Sequence, residues 1–279
     1  MTFLPGDRSG TKFLDGKTFL NITIMNFTTR FAGLMLAGCS LFATTGKTLA
    51  APINYGDFNG LNLSYLQVTE TVNTPGDTAP LYGAPTLIGD QLDFNPKGFS
   101  AGAVNGNLDI TDGQLNFTLL SNLGRAITDL AVSEGGDFTL LGTGTAATNV
   151  GFAISLATVK VLAVDGINLG APVSLTPVTA SSTRNLITHP GIGQLWDLTN
   201  NYDVNAALIN AGVPFSLGAT KIEVAINDTL TAISETGTIA FIAKKDFVLI
   251  SATVIPEPSS TALLAVTAIA GAVTRRRRR

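Results

Sequence analysis

Leu115, Phe117 and Leu119 alternate with Asn116 and Thr118, the two-residue period of a strand that turns one face to a core. Ile222, Val224 and Ile226 repeat the pattern further along the chain. Leu130 and Val132, then Glu134-Gly135-Gly136-Asp137, then Phe138 and Leu140 predict a hairpin closed by a glycine turn. Glu235-Thr236-Gly237-Thr238 separates two further strands, expected near residues 230–234 and 239–243. Residues 151–164 hold a longer strand or a pair, and the unbroken apolar run 247–252 predicts a strand covered on both faces. One segment departs from this rhythm. Asp203 caps a helical spacing in which Val204, Ala207, Leu208 and Ala211 share a face, and Gly212 stops it. Short strands divided by turn signals every ten or so residues predict an all-β fold, a two-sheet antiparallel sandwich of jelly-roll kind with one short helix.

Composition sharpens this picture through charge. The chain has 279 residues, 13% of them charged, with a formal net charge of -3. Charged residues usually make up about a quarter of a soluble domain. The small net charge conceals a separation, because residues 51–255 carry seven basic and seventeen acidic side chains. A body this acidic repels nucleic-acid phosphates, so no nucleic-acid partner is expected.

The two ends read as addresses. Residues 25–50 place Arg30 before the apolar run 31–43 and finish on small residues, the layout of a secretory signal cleaved between Ala50 and Ala51. Residues 1–24 fit neither a signal nor a domain, and read as an upstream start with Met25 the true one. Leu36-Ala37-Gly38-Cys39 also resembles a lipobox, in which Cys39 would be acylated; Cys39 is the single cysteine, so no disulfide framework is expected. At the other end, residues 261–273 form a 13-residue apolar stretch before Arg275, Arg276, Arg277, Arg278 and Arg279. As a helix this stretch rises roughly 20 Å at about 1.5 Å per residue, short for a hydrocarbon core about 30 Å thick. It is expected as a marginal C-terminal transmembrane helix, with the arginines as a topology anchor on the cytoplasmic side.

Pro256-Glu257-Pro258, an apolar stretch and an arginine cluster, in that order, resemble the PEP-CTERM sorting signal of Gram-negative bacteria. The resemblance covers residues 254–279, leaving residues 51–253 as the sandwich domain. It implies recognition of the Pro-Glu-Pro motif by an exosortase, an integral-membrane cysteine transpeptidase. It further implies a body exported, tethered transiently in the membrane, then released to the outer envelope or outside. The expected role is structural or adhesive, in the envelope or an exopolysaccharide matrix such as a biofilm. The alternative is a carbohydrate-binding, lectin-like module, assisted by calcium.

Candidate chemistry within the body is sparse. His189 is the only histidine and no Gly-x-Ser-x-Gly elbow exists, which disfavours a serine triad and excludes zinc sites built from several histidines or cysteines. Many acids neighbour glycine (Gly56-Asp57, Gly76-Asp77, Gly89-Asp90), where aspartate favours the bend itself. Asn105, Asn107 and Asp109 begin like an EF-hand loop, yet Ile110 stands where that loop needs glycine. What remains is a looser calcium site shared by Asp109 and Asp112. Trp196 is either core filling or a stacking surface for a sugar. No enzyme is expected.

Overall fold

The computed structural model describes residues 51–256. The chain runs β1 (Ile53–Asn59), β2 (Leu63–Val72), β3 (Thr86–Ile88), β4 (Gln91–Phe94), β5 (Ser100–Val104), β6 (Leu108–Ser121) and β7 (Arg125–Gly142). It continues as β8 (Asn149–Val164), β9 (Ile167–Ser174), β10 (Val178–Asn185), β11 (Gly191–Asp203), α1 (Val204–Asn210), β12 (Ala219–Ile233) and β13 (Thr238–Pro256). The strands pair antiparallel throughout.

Two layers face each other. In one, β1, β2, β6, β12 and β8 lie side by side, with β9 and β10 both paired to β8. In the other, β7 lies between β11 and β13, and β13 also carries β5 and the β4–β3 ribbon. A single residue pair, Ala219 with Ile127, joins β12 to β7. This corrects the expectation of two separate sheets: one continuous sheet folds over at that junction, giving an antiparallel sandwich of half-barrel character.

The alternating residues named from the sequence build the interior. Leu115, Phe117 and Leu119 from β6 and Ile222, Val224 and Ile226 from β12 are buried side by side, and Leu130, Val132, Phe138 and Leu140 of β7 face them. Burying one such side chain contributes about 1.5–3 kcal/mol. Trp196 of β11 packs on Phe152 of β8 across the layers, ring centroids 4.5 Å apart. The Tyr82 ring meets the edges of Phe94 and Phe99. The helix forms as expected, with the Asp203 carboxylate accepting the Ala206 amide at 2.7 Å and Val204 and Leu208 buried.

Two further expectations are corrected. Glu134-Gly135-Gly136-Asp137 is no turn; β7 runs straight through it for 18 residues. The apolar and polar positions keep the same phase on both sides of the glycines, which a turn would reset. The expected C-terminal transmembrane helix is also not upheld. Among the described residues no helix is long and apolar enough to cross a membrane. Where the sorting signal was expected to begin, the chain is still strand: Val254, Ile255 and Pro256 pair with Ile127, Ala126 and Arg125. The expected localisation, a body tethered in the membrane through that helix, has no described helix to rest on. Residues 1–50 and 257–279, and with them Cys39, Ala50, Glu257, Pro258, the apolar stretch 261–273 and Arg275–Arg279, lie outside the described residues.

Candidate functional site

The outer face of the β7–β11 ribbon is interrupted by a notch. On β7 the outward positions are Ser133, Gly135 and Asp137; opposite them on β11 stand Thr199, Asp197 and Leu195. Gly135 contributes no side chain, so the ribbon opens at Asp197 into a cleft of about 540 Å³. Its rim is chemically mixed. Ser133 and Thr199 share a hydroxyl–hydroxyl hydrogen bond of 3.0 Å at one end, and at the other Lys245 of β13 donates to Asp137. Leu195 stands 85% exposed beside them.

The second glycine shapes the inner face. A Cβ on Gly136 would land on the carbonyl of Ala243 in β13, so only glycine permits this approach. The indole of Trp196, paired with Gly136 across the ribbon, donates to that Ala243 carbonyl at 3.2 Å. Trp196 is thereby a core residue with its N–H satisfied, 3% exposed, and offers no platform for a sugar. Beside the glycines β13 bulges: Lys244 pairs with Gly136 and Phe247 with Gly135, leaving two residues unpaired between. The bulge sends Lys245 outward and leaves Lys244 pointing into the interior.

Inside, Lys244 meets two carboxylates. Its Nζ lies 2.7 Å from Glu134 Oε2 of β7 and 3.0 Å from Asp228 Oδ2 of β12, on the opposite layer. All three side chains are shut off from water. The Phe99 ring centroid is 4.3 Å from Nζ, and the Tyr82 hydroxyl donates to Asp228 Oδ2 at 2.8 Å. One cation cannot neutralise two anions here, and an uncompensated charge in such surroundings is costly. Burial, with the charge of Asp228 next, pushes the Glu134 carboxyl well above the usual carboxylate range.

Sequence reasoning missed this cluster, although the signal was present. Glu134 stands in phase with Val132 and Phe138, Asp228 with Ile226 and Leu230, and Lys244 with Ala240 and Ile242. Each is a charge in a slot that alternation assigns to the core. The pair that was singled out, Asp109 and Asp112, sits on opposite faces of β6 because their spacing of three positions is odd. Asp109 accepts the Gly102 amide at 2.8 Å, while Asp112 accepts from Asn73 and Thr229 at 3.2 and 3.1 Å. Among the described residues no group of three or more His, Cys, Asp or Glu side chains could hold a metal ion. His189 is exposed, with Nδ1 2.7 Å from the Thr188 hydroxyl. Ala51 is exposed ahead of β1, and Pro256 closes β13.

Neither a protein-family model nor a curated protein matches the sequence. Among solved structures the chain is similar to TmCBM61 in complex with β-1,4-galactotriose, at a TM-score of 0.18 and 11% identity over 57% of this chain and 68% of that one. It is also similar to the infectious bursal disease virus VP2 subviral particle, at 0.21 and 15% over 68% of this chain and 52% of that one. A third likeness is to the enzymatically active domain of bacteriophage CBA120 tailspike protein 4, at 0.16 and 12% over 70% of this chain and 19% of that one. Scores this low carry no argument about ligand or activity.

Proposed function

We propose that this chain is a non-catalytic binding module that takes a polyhydroxylated ligand, a glycan, in the notch on the outer β7–β11 face. One observation carries the reading. One cleft is lined by the Ser133 and Thr199 hydroxyls at one end, by Asp137, Lys245 and the exposed side chain of Leu195 at the other, and by Asp197 between them opposite Gly135. Carboxylate and hydroxyl groups exchange hydrogen bonds with sugar hydroxyls, and an aliphatic side chain suits the C–H face of a pyranose. Glycoside hydrolysis asks more of a cleft, two carboxyls that flank a bond within reach of both. Of its acids, Asp137 is held by Lys245, and Glu134 turns away into the interior. Affinity at one such notch is expected to be modest and to rise when many copies meet a repeating polysaccharide.

A glycan array on the purified chain, followed by titration calorimetry with the best ligand, tests this. Asp197→Ala and Leu195→Ala are expected to weaken binding about tenfold each, the loss of roughly 1.4 kcal/mol, without lowering the melting temperature. Chelation of divalent ions should leave binding unchanged, because the ligand groups are the protein's own. Unaltered affinity in both variants would move the site elsewhere. Silence across the array would remove the glycan reading.

A further inference from the structure

Lys244, Glu134 and Asp228 play no part in the surface notch. Three facts make them more than an ion cluster. The Nζ atom lies between two carboxyl groups drawn from different strands, at 2.7 and 3.0 Å. Lys244 Nζ, Glu134 Oε1 and Asp228 Oδ1 are buried atoms without a hydrogen-bond partner, so the two ion pairs leave buried polar groups unsatisfied. Aromatic rings enclose the group: Phe99 at 4.3 Å and Tyr82 at 5.5 Å from Nζ. An amine held against a carboxyl, with water excluded and a second carboxyl at hand, is the geometry for acyl transfer to nitrogen.

We propose that Lys244 and Asp228 become joined by an intramolecular amide bond that ties β13 to β12 across the two layers, with Glu134 as the acid–base residue. The Lys244 ammonium first passes a proton to the Asp228 carboxylate, leaving a neutral amine beside a neutral acid. Nζ then attacks Cγ of Asp228. The new C–N bond forms as one C–O bond breaks, and that oxygen departs as water. Glu134 supplies the proton that the departing hydroxyl needs and recovers one from the attacking nitrogen, ending as it began. Ammonium plus carboxylate gives amide plus water, with no change in net charge and no oxidant or cofactor. Glu134 is suited to the task because burial favours its protonated form. Tyr82, whose hydroxyl oxygen lies 2.8 Å from both Asp228 Oδ2 and the Gly113 carbonyl and shares its one proton between them, is a positioning residue that holds the acyl carbon in place. The product is favoured as well: a neutral amide replaces an ion pair in surroundings that penalise charge.

Proteolysis of the full chain reads the bond directly. Trypsin cleaves after Lys221 and Lys245 but not after an acylated Lys244, so residues 222–245 are expected as one peptide lighter by one water. A glutamate-specific protease then cuts after Glu223 and Glu235, and residues 224–235 and 236–245 should stay linked. A peptide of full mass, cut at Lys244, would overturn the proposal. So would the loss of water in two peptides that separate, since that is a succinimide at Asp228. Linkage of Lys244 to the peptide bearing Glu134 would overturn the choice of Asp228. Glu134→Gln is expected to abolish the link; a folded variant that still forms it would remove Glu134 from the reaction. The wild-type digest decides the bond itself, whatever the variant's stability.

Discussion

Asp165 shows how one carboxylate can organise a loop. It sits at the β8–β9 turn with φ 53° and accepts the amides of Ser216, Leu217 and Gly218, at 2.7, 2.7 and 2.9 Å, just ahead of β12. Burial alone pushes its carboxyl up, but the three amides outweigh that and hold it below the ordinary value. A depressed folded-state value means that the charged form favours the native state. The contribution is therefore complete above the unfolded-state value of about 3.9 and fades as pH falls through the lower folded-state value. Asp165→Asn should lower the melting temperature near neutrality, and its gap to the wild type should narrow in acid. Melting curves from about pH 6 to about pH 2 would show this; a gap of constant size would mean that the carboxylate charge is irrelevant. At this scale the sequence is partly legible. It shows that Asp203 caps a helix, because capping is local. It does not show that Asp165 spans some fifty residues to reach its amides.

Among the elements, β7 carries most of the design. It is the middle strand of its layer, paired along β11 on one side and β13 on the other. Its two adjacent glycines serve opposite faces: Gly135 opens the outer notch, and Gly136 lets β13 and the Trp196 indole close in beneath. Gly136→Ala is expected to destabilise the protein by about 2–4 kcal/mol, since the displaced atoms are backbone and cannot swing aside. Denaturant unfolding would measure it, and a cost below about 1 kcal/mol would show that the bulge adapts. Reading these glycines as a turn followed a strong local habit of the residue type. The unbroken phase of Leu130, Val132, Phe138 and Leu140 was the better guide. Strand existence was thus legible from period, as it was for β6, β8 and β12. Pairing was not, because β13 meets β7 across about a hundred residues of sequence or more.

For the whole molecule, the joined layers matter more than any single strand. The ladder passes from β12 to β7 through the Ala219–Ile127 pair, and the core under both layers is continuous. Unfolding residues 51–256 in pieces would leave apolar faces bare on either side. One cooperative transition is expected, with backbone and aromatic circular dichroism changing together. Separate midpoints for the two signals would show that the layers melt independently. The charge balance of the body, read from composition, is a property at this scale, and it was legible at once. The pairing of Lys244 with Glu134 and Asp228 was not, since composition sums charges without saying which of them face inward.

Where β13 lies has a mechanical side. Residues 239–243 and 248–250 of it are paired on both sides, and it leaves the described body at Pro256 while still in register with Arg125 of β7. Pulled along its own axis, β13 loads its rungs to β7 in shear. Rungs that bear load in shear share it, whereas rungs that are unzipped fail one after another. Traction from that side should meet a body that gives way late and all at once.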